Sequence, residues 1–276
     1  MTTTRRAIVE ILWGPLGSRK AIIAPGQTLR IGRSNRADLA LPHDDRMAAL
    51  HLAVSWDGER CQVRDLGSFG GTLIHGERVI EADVASGACV RAGGTTLRVS
   101  FEGRSSPEAE MPAEQAAVLR MLGRPPGALF AVIDASAGAR PLQLLREAVD
   151  EHRSLYEGVR GEALAGSAPY LVGLRPDSGL LERLLAEGWG ARWGIFFACA
   201  RPFRDVRRHL RRFLIVEDDD TGQRYLFRFY DPRTLRVFLP SCTPRQREDF
   251  FGEIVAFFAE GERGEVLRFD AQPGPG

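Results

Sequence analysis

The sequence predicts a multidomain protein: an N-terminal all-β sandwich followed by an α/β (α+β) domain with C-terminal helices. Its length, 276 residues, suits two ordinary domains better than one. Residues 7–101 carry short apolar runs punctuated by turn signals, the pattern of a sandwich or barrel. From Ala128 onward, strand-like runs alternate with helix-like ones, which argues for an α/β layer domain.

In the first region the expected strands are Ala7–Trp13, Lys20–Ala24, Thr28–Ile31, Leu52–Trp56, Cys61–Asp65 and Thr95–Phe101. Turns are expected at Pro25-Gly26, Gly70-Gly71, His75-Gly76 and Gly93-Gly94. Asp57-Gly58 is a hairpin signal, because both central positions of a tight hairpin turn favour positive φ. Residues 102–112 are polar and proline-bearing and read as a linker. Pro112 opens a short helix to Leu122, since its missing N–H has no partner in a first helical turn. The expected boundaries are 1–102 for the sandwich, 103–127 for the linker and short helix, 128–270 for the α/β domain, and a disordered tail over 271–276.

In the second region Leu129–Ile133 precedes a helix over Leu142–Asp150, and Pro169–Leu174 precedes one over Gly179–Glu187. Arg192–Ala200 precedes a helix over Phe203–Phe213. Leu129–Ile133 and Tyr170–Leu174 are apolar throughout and have the look of central parallel strands. Arg224–Phe229 is an expected strand, stopped by Asp231-Pro232. Pro244–Phe258 reads as a helix with Thr243 as N-cap. Asp134 ends its strand; capping the following turn is favoured over a ligand role.

Composition excludes several functions. Apolar residues make up 44%, charged residues 26%, and the net charge is +1. There is no global pull toward nucleic acid or acidic membranes. No apolar run suits a signal peptide or a bilayer span, so a cytoplasmic protein is expected. For Cys61, Cys89, Cys199 and Cys242, bridges and isolated buried thiols both stand; the absence of a CxxC pair favours the second. WGPLGSRKA lacks the spacing of a phosphate-binding loop, and Ser167 lies outside a GxSxG frame. The five histidines show no metal-ligand spacing. No catalytic residue, metal or cofactor is therefore expected. Arg201–Arg212 holds six arginines. At helical spacing Arg204, Arg208, Arg211 and Arg212 fall near one face, either simply solvated or a basic patch for an acidic partner. No aromatic stacking set accompanies them, which argues against nucleic acid. The acidic run Glu217–Asp220 is expected to top a hairpin.

Ile31-Gly32-Arg33-Ser34, then His51, then DLGSFGGTLIHGERV at Asp65–Val79, resemble the forkhead-associated (FHA) domain over about 95 residues. The resemblance implies a site for phosphothreonine peptides on the loops at one end of the sandwich. Arg33 matches the phosphate-contacting arginine, and Ser68 is the accompanying candidate. A guanidinium fork and short hydroxyls suit phosphate oxygens. The family serine three residues before the histidine is Ala48 here, the asparagine that would hold the peptide backbone is Gly70, and His75 replaces a turn-shaping asparagine. Each lost charge-assisted bond is worth roughly 1.5–3 kcal/mol. The expectation is a docking scaffold with an architectural His51; the alternative is a phosphothreonine-dependent signalling module with a phosphoprotein partner.

Residues 128–258 resemble the DUF4123 family through Leu129–Asp134, Ser154-Leu155-Tyr156, Ala168–Val172, Gly188-Trp189-Gly190, Trp193–Phe196, Phe227–Arg233 and Phe238-Leu239-Pro240. That resemblance implies a non-enzymatic adaptor or chaperone of bacterial type VI secretion, holding a secreted effector and loading it onto the VgrG spike. Arg228, Asp231 and Arg233 are candidates for a partner-docking surface, against the reading of an internal Arg–Asp pair that fixes this corner. Arg204, Arg208 and Arg211 are candidates as a basic patch.

Overall fold

Strand residues 61–65 show the two-residue period: Cys61 and Val63 are buried and Arg64 is exposed. The computed structural model describes residues 5–12, 16–103, 113–122, 127–157, 164–217 and 221–271. Trp13, most of the expected linker (104–112), the acidic residues 218–220 and tail residues 272–276 lie outside the described residues. The chain divides into Met1–Arg104 with Arg146–Glu151, and Ser105–Leu145 with His152–Gly276.

The first unit holds strands β1 (Ala7–Ile11), β2 (Lys20–Ile23), β3 (Gln27–Gly32), β4 (Leu39–Ala40), β5 (Leu52–Trp56) and β6 (Cys61–Asp65). They are followed by β7 (Thr72–Ile74), β8 (Glu77–Val79), β9 (Glu81–Val84), β10 (Ala88–Ala92) and β11 (Thr95–Phe101). One sheet runs β2-β1-β11-β10-β7-β8 and the other β4-β3-β5-β6-β9. Among the described residues of this unit, only the short β3–β4 pairing is parallel. Ile31, Val54, Val63, Val90 and Val99 fill the core. Trp56 is buried there, its ring 4.6 Å from Phe101 and its indole N–H donating to the Arg5 carbonyl at 2.8 Å. The Asp57-Gly58 hairpin forms with a longer loop than expected: Trp56 pairs with Cys61, and Asp57 Oδ1 accepts from the N–H groups of Glu59 and Arg60. Strands β4 and β7–β10, each two to five residues long, are not among the expected strands.

The second unit contains α1 (Ala113–Leu122), β12 (Ala128–Asp134), α2 (Ala139–Arg146), β13 (Glu151–Ser154), β14 (Pro169–Gly173), α3 (Leu180–Gly188) and β15 (Gly194–Cys199). Then come α4 (Phe203–Arg211), β16 (Ile215–Glu217), β17 (Arg224–Leu226), α5 (Pro232–Ser241), α6 (Pro244–Phe251), β18 (Ile254–Glu260) and β19 (Val266–Asp270). The main sheet runs β13-β14-β12-β15-β18-β19. The expectation of parallel central strands is overturned: β12 pairs antiparallel with both neighbours, Val132 facing Leu171 and Ile195. An all-apolar strand reports that both its faces are covered, not its direction. The expected helix over Pro244–Phe258 is also corrected. It ends at Phe251, Gly252 takes φ 54°, and the chain continues as β18. The expected Thr243 cap is present, in reciprocal bonding with Gln246. Phe197, Phe250 and Phe257 are buried at the centre, with ring centroids 5.2 Å apart for Phe250–Phe257 and 5.6 Å for Phe197–Phe257.

Among the described residues, strands β16 and β17 pair only with each other. Ile215, Val216, Tyr225 and Leu226 on this hairpin are all exposed.

Candidate functional site

At the loop end of the sandwich, close backbone contact sets the geometry. A Cβ on Gly32 would lie 2.3 Å from the Ala49 carbonyl oxygen, so only glycine lets β3 pass the 48–50 loop. The next residue, Arg33, donates its N–H to the Ala48 carbonyl at 2.9 Å. Its side chain is exposed and has no partner among the described residues. His51 is fully buried; its Nδ1 accepts from the Ala48 N–H at 3.1 Å, which leaves Nε2 to donate to the Gly71 carbonyl at 3.1 Å. The imidazole thus ties two loops together, the architectural role expected of it.

Asp65 is the hub of the later loop. Oδ1 accepts from the Ser68 hydroxyl at 2.6 Å and the Thr72 hydroxyl at 2.8 Å, and Oδ2 from the N–H groups of Gly67 and Ser68. Burial pushes this carboxyl up, but those hydrogen bonds prevail and hold it below the usual carboxylate range. Ser68 is consequently turned inward and buried, its hydroxyl committed to Asp65 rather than presented to a ligand. Phe69, which sequence reasoning passed over, stands fully exposed beside it. Asp44 clasps a further loop, accepting from the Gly94 N–H and the Thr95 hydroxyl.

In the second unit Asp134 caps the turn after β12, accepting from the Ser136 N–H at 2.9 Å, as expected. It also forms an ion pair with Arg228, whose guanidinium reaches the Ser136 hydroxyl at 3.2 Å. Arg228 lies just beyond β17, not within a longer strand: Phe227 still donates its N–H to the Leu214 carbonyl at 2.8 Å, and Phe229 and Tyr230 then turn into the core. Asp231 caps α5, accepting from the Arg233 N–H at 2.9 Å and its guanidinium at 2.7 Å. Burial raises the Asp231 carboxyl, and the Arg233 bonds more than reverse this.

The arginines of α4 do not share one face. Arg207 and Arg211 reach Glu157 at 2.9 and 2.6 Å, and donate to the carbonyls of Ser154 and Leu155. Arg211 therefore belongs to an internal clamp, a correction to the grouping with Arg204 and Arg208 that arises because the end of β13 runs beside that flank. Arg208 pairs with Asp205 at 2.8 Å, and Arg204 is exposed with no acidic partner among the described residues. No group of three His, Cys, Asp or Glu among the described residues is placed to hold a metal ion. All four cysteines are free thiols. Burial pushes the Cys61 thiol up to about 12 and also raises Cys199, away from nucleophilic character. No helix among the described residues is long and apolar enough to cross a membrane.

A sandwich with a ligand-type loop end, joined in one chain to a mixed α/β unit, defines a protein built from interaction modules. The chain carries an FHA domain, matched over residues 29–93, and a domain of the DUF4123 family, a domain of unknown function, matched over residues 129–249. Neither family points to catalysis, and together they fit a protein-interaction adaptor. No curated protein matches the chain. Similar solved structures include an FHA domain studied for phosphothreonine-dependent interactions, at 27% identity, covering 36% of this chain and 99% of its own, with TM-score 0.33. Another is the FHA domain of an Arabidopsis thaliana hypothetical protein, at 26% identity, covering 38% and 92%, with TM-score 0.34. A third is the FHA-1 domain of Mycobacterium tuberculosis Rv1747, at 25% identity, covering 37% and 99%, with TM-score 0.32.

Proposed function

We propose that the chain is a non-enzymatic cytoplasmic adaptor that holds a type VI secretion effector and helps load it onto the VgrG spike, with the FHA domain as a docking scaffold. The observation that carries this reading is the β16–β17 hairpin inside the DUF4123 segment. An isolated two-stranded hairpin is marginal in water, and this one exposes Ile215, Val216, Tyr225 and Leu226, as a partner surface would. Directly after it in the chain, Arg228 and Arg233 keep much of their guanidinium surface exposed while paired, and they extend that surface with Asp231. Arg204 and Arg208 add exposed positive charge on α4. The family resemblance names the partner class.

The exposed, unpartnered Arg33 favours a second reading, in which a phosphothreonine protein docks on the FHA loops. Affinity purification of the full chain from cells expressing the neighbouring secretion genes separates the two. Under the adaptor reading an effector co-purifies, survives phosphatase treatment of the lysate, and is lost on charge reversal of Arg228 and Arg233. Release by phosphatase, with loss in Arg33→Ala, would establish the second reading instead.

A further inference from the structure

Arg208 on α4 and the flanking Arg201 and Arg212 border a cavity. Arg201, Asp205, Arg208 and Arg212 recur at intervals of four, three and four residues, one stripe of the helix continued past both of its ends. Together with His209 and Gly252–Ile254 they line a space of ~330 Å³. Buried Cys199, Val206 and Ile254 contribute its apolar wall. The backbone closes one side only because residue 252 is glycine: a Cβ there would lie 2.8 Å from His209 Cε1. His209 is itself fixed, its Nε2 donating to the Phe250 carbonyl at 2.8 Å.

The charges around this space do not balance. Its guanidinium groups are Arg201, Arg208 and Arg212, and its carboxylates are Asp205 and Glu253. Asp205 serves Arg208 at 2.8 Å and Arg201 at 3.8 Å, and Glu253 lies 3.6 Å from Arg201. Arg212 has no acidic partner among the described residues; its guanidinium rests over the Phe213 ring at 5.6 Å. Arg208 is largely exposed, so most of its donors point to solvent. Unfilled guanidinium forks over an apolar wall suit a carboxylate flanked by aliphatic carbon. No Phe, Tyr or Trp lines the space, so nucleic-acid bases would find no stacking platform.

We propose that this cavity docks an acidic segment of a partner protein, with a Glu or Asp carboxylate on Arg208 and Arg212 and a neighbouring aliphatic side chain on Val206 and Ile254. The proposal rests on the adaptor reading and gives the partner's chemistry. The test uses the full chain and a fluorescein-labelled Glu-Glu-Leu-Glu-Glu-Leu peptide, followed by anisotropy. Its controls are the matched Gln-Gln-Leu-Gln-Gln-Leu peptide and a labelled oligothymidine. The acidic peptide is expected to bind, weaken with added salt, and exceed the glutamine control by roughly tenfold. Arg212→Gln and Arg208→Gln should each reduce binding by roughly fivefold or more at unchanged melting temperature, and Arg64→Gln, at an exposed arginine of the sandwich paired with Glu81, should leave it unaltered. Arg212→Lys, which keeps the charge and loses the fork, should fall between. No binding at millimolar peptide, equal binding of the glutamine control, indifference to Arg208 and Arg212, or preference for oligothymidine would each overturn the proposal. If peptide binding fails while the effector still co-purifies, the cavity assignment falls and the adaptor reading stands. If no effector co-purifies but the peptide binds with this arginine dependence, the reverse holds.

Discussion

The loop end of the sandwich and the Asp134–Arg233 corner of the α/β unit both present arginine beside short polar side chains, yet the fold has used these groups differently. At the sandwich end Ser68, Thr72 and His51 are spent on holding loops together, while Arg33 is left free. At the corner each guanidinium already holds a carboxylate: Arg228 with Asp134, Arg233 with Asp231. A motif therefore names residue types suited to a ligand, and the local hydrogen bonding decides which of them still have capacity to spare. At the sandwich end Arg33 keeps its donors unspent among the described residues, whereas both guanidinium groups of the corner are already paired.

Several measurements can break or sharpen that contrast. The largest expected effect is on the support beneath the corner. Phe250 lies 5.7 Å from Phe229 and is fully buried, so Phe250→Ala should cost about 3–5 kcal/mol in chemical denaturation. A cost under 1 kcal/mol would mean the corner does not depend on this aromatic core.

Next comes Asp65, whose loss would leave two buried hydroxyls and two N–H groups without their acceptor. Asp65→Ala should cost about 3 kcal/mol. Because its folded carboxyl is held below the ordinary value, its contribution is complete above the unfolded value near pH 3.9 and is lost as pH falls through the lower folded one. Asp65→Asn should therefore flatten the acid limb of a stability profile measured below about pH 4. An unchanged limb would show that the loop hub does not depend on ionised Asp65.

A double-mutant cycle on Asp134→Asn and Arg228→Ala should return a coupling of about 1–2 kcal/mol, because the carboxylate is buried and the arginine half-exposed. No coupling would detach Arg228 from the frame and free it for a partner. The smallest stability effect belongs to Arg33→Ala, within about 0.5 kcal/mol. Its value lies in binding: micromolar, phosphate-dependent shifts of loop amide resonances that vanish in this variant would overturn the scaffold reading.

Much of this architecture was legible in the residues, for identifiable reasons. Short apolar runs between turn signals exposed β5, β6 and β11, and the Thr243-Pro244 pair marked the start of α6. Strand direction in the second unit was not legible, since Leu129–Ile133 would be apolar in either arrangement. Gly252 hid the switch from α6 to β18, because the Phe-rich segment on both sides satisfies a helical and a strand pattern alike. Asp134 was found with its turn-capping role. The inward turn of Ser68 and the two-way split of the α4 arginines were not, because each depends on partners far off in sequence or on loop geometry: Glu157 lies 50 residues from Arg207.

The β16–β17 hairpin has a consequence in exchange kinetics. Its ladder is three residues long with no third strand alongside among the described residues, so the amides of 215–217 and 224–226 should open and exchange with solvent far faster than those of β12 or β15 in the sheet centre. Engagement of a partner there would turn the fastest-exchanging strands of the unit into protected ones. The hairpin would then report occupancy directly, as a local rise in protection readable by mass spectrometry without any label on the protein.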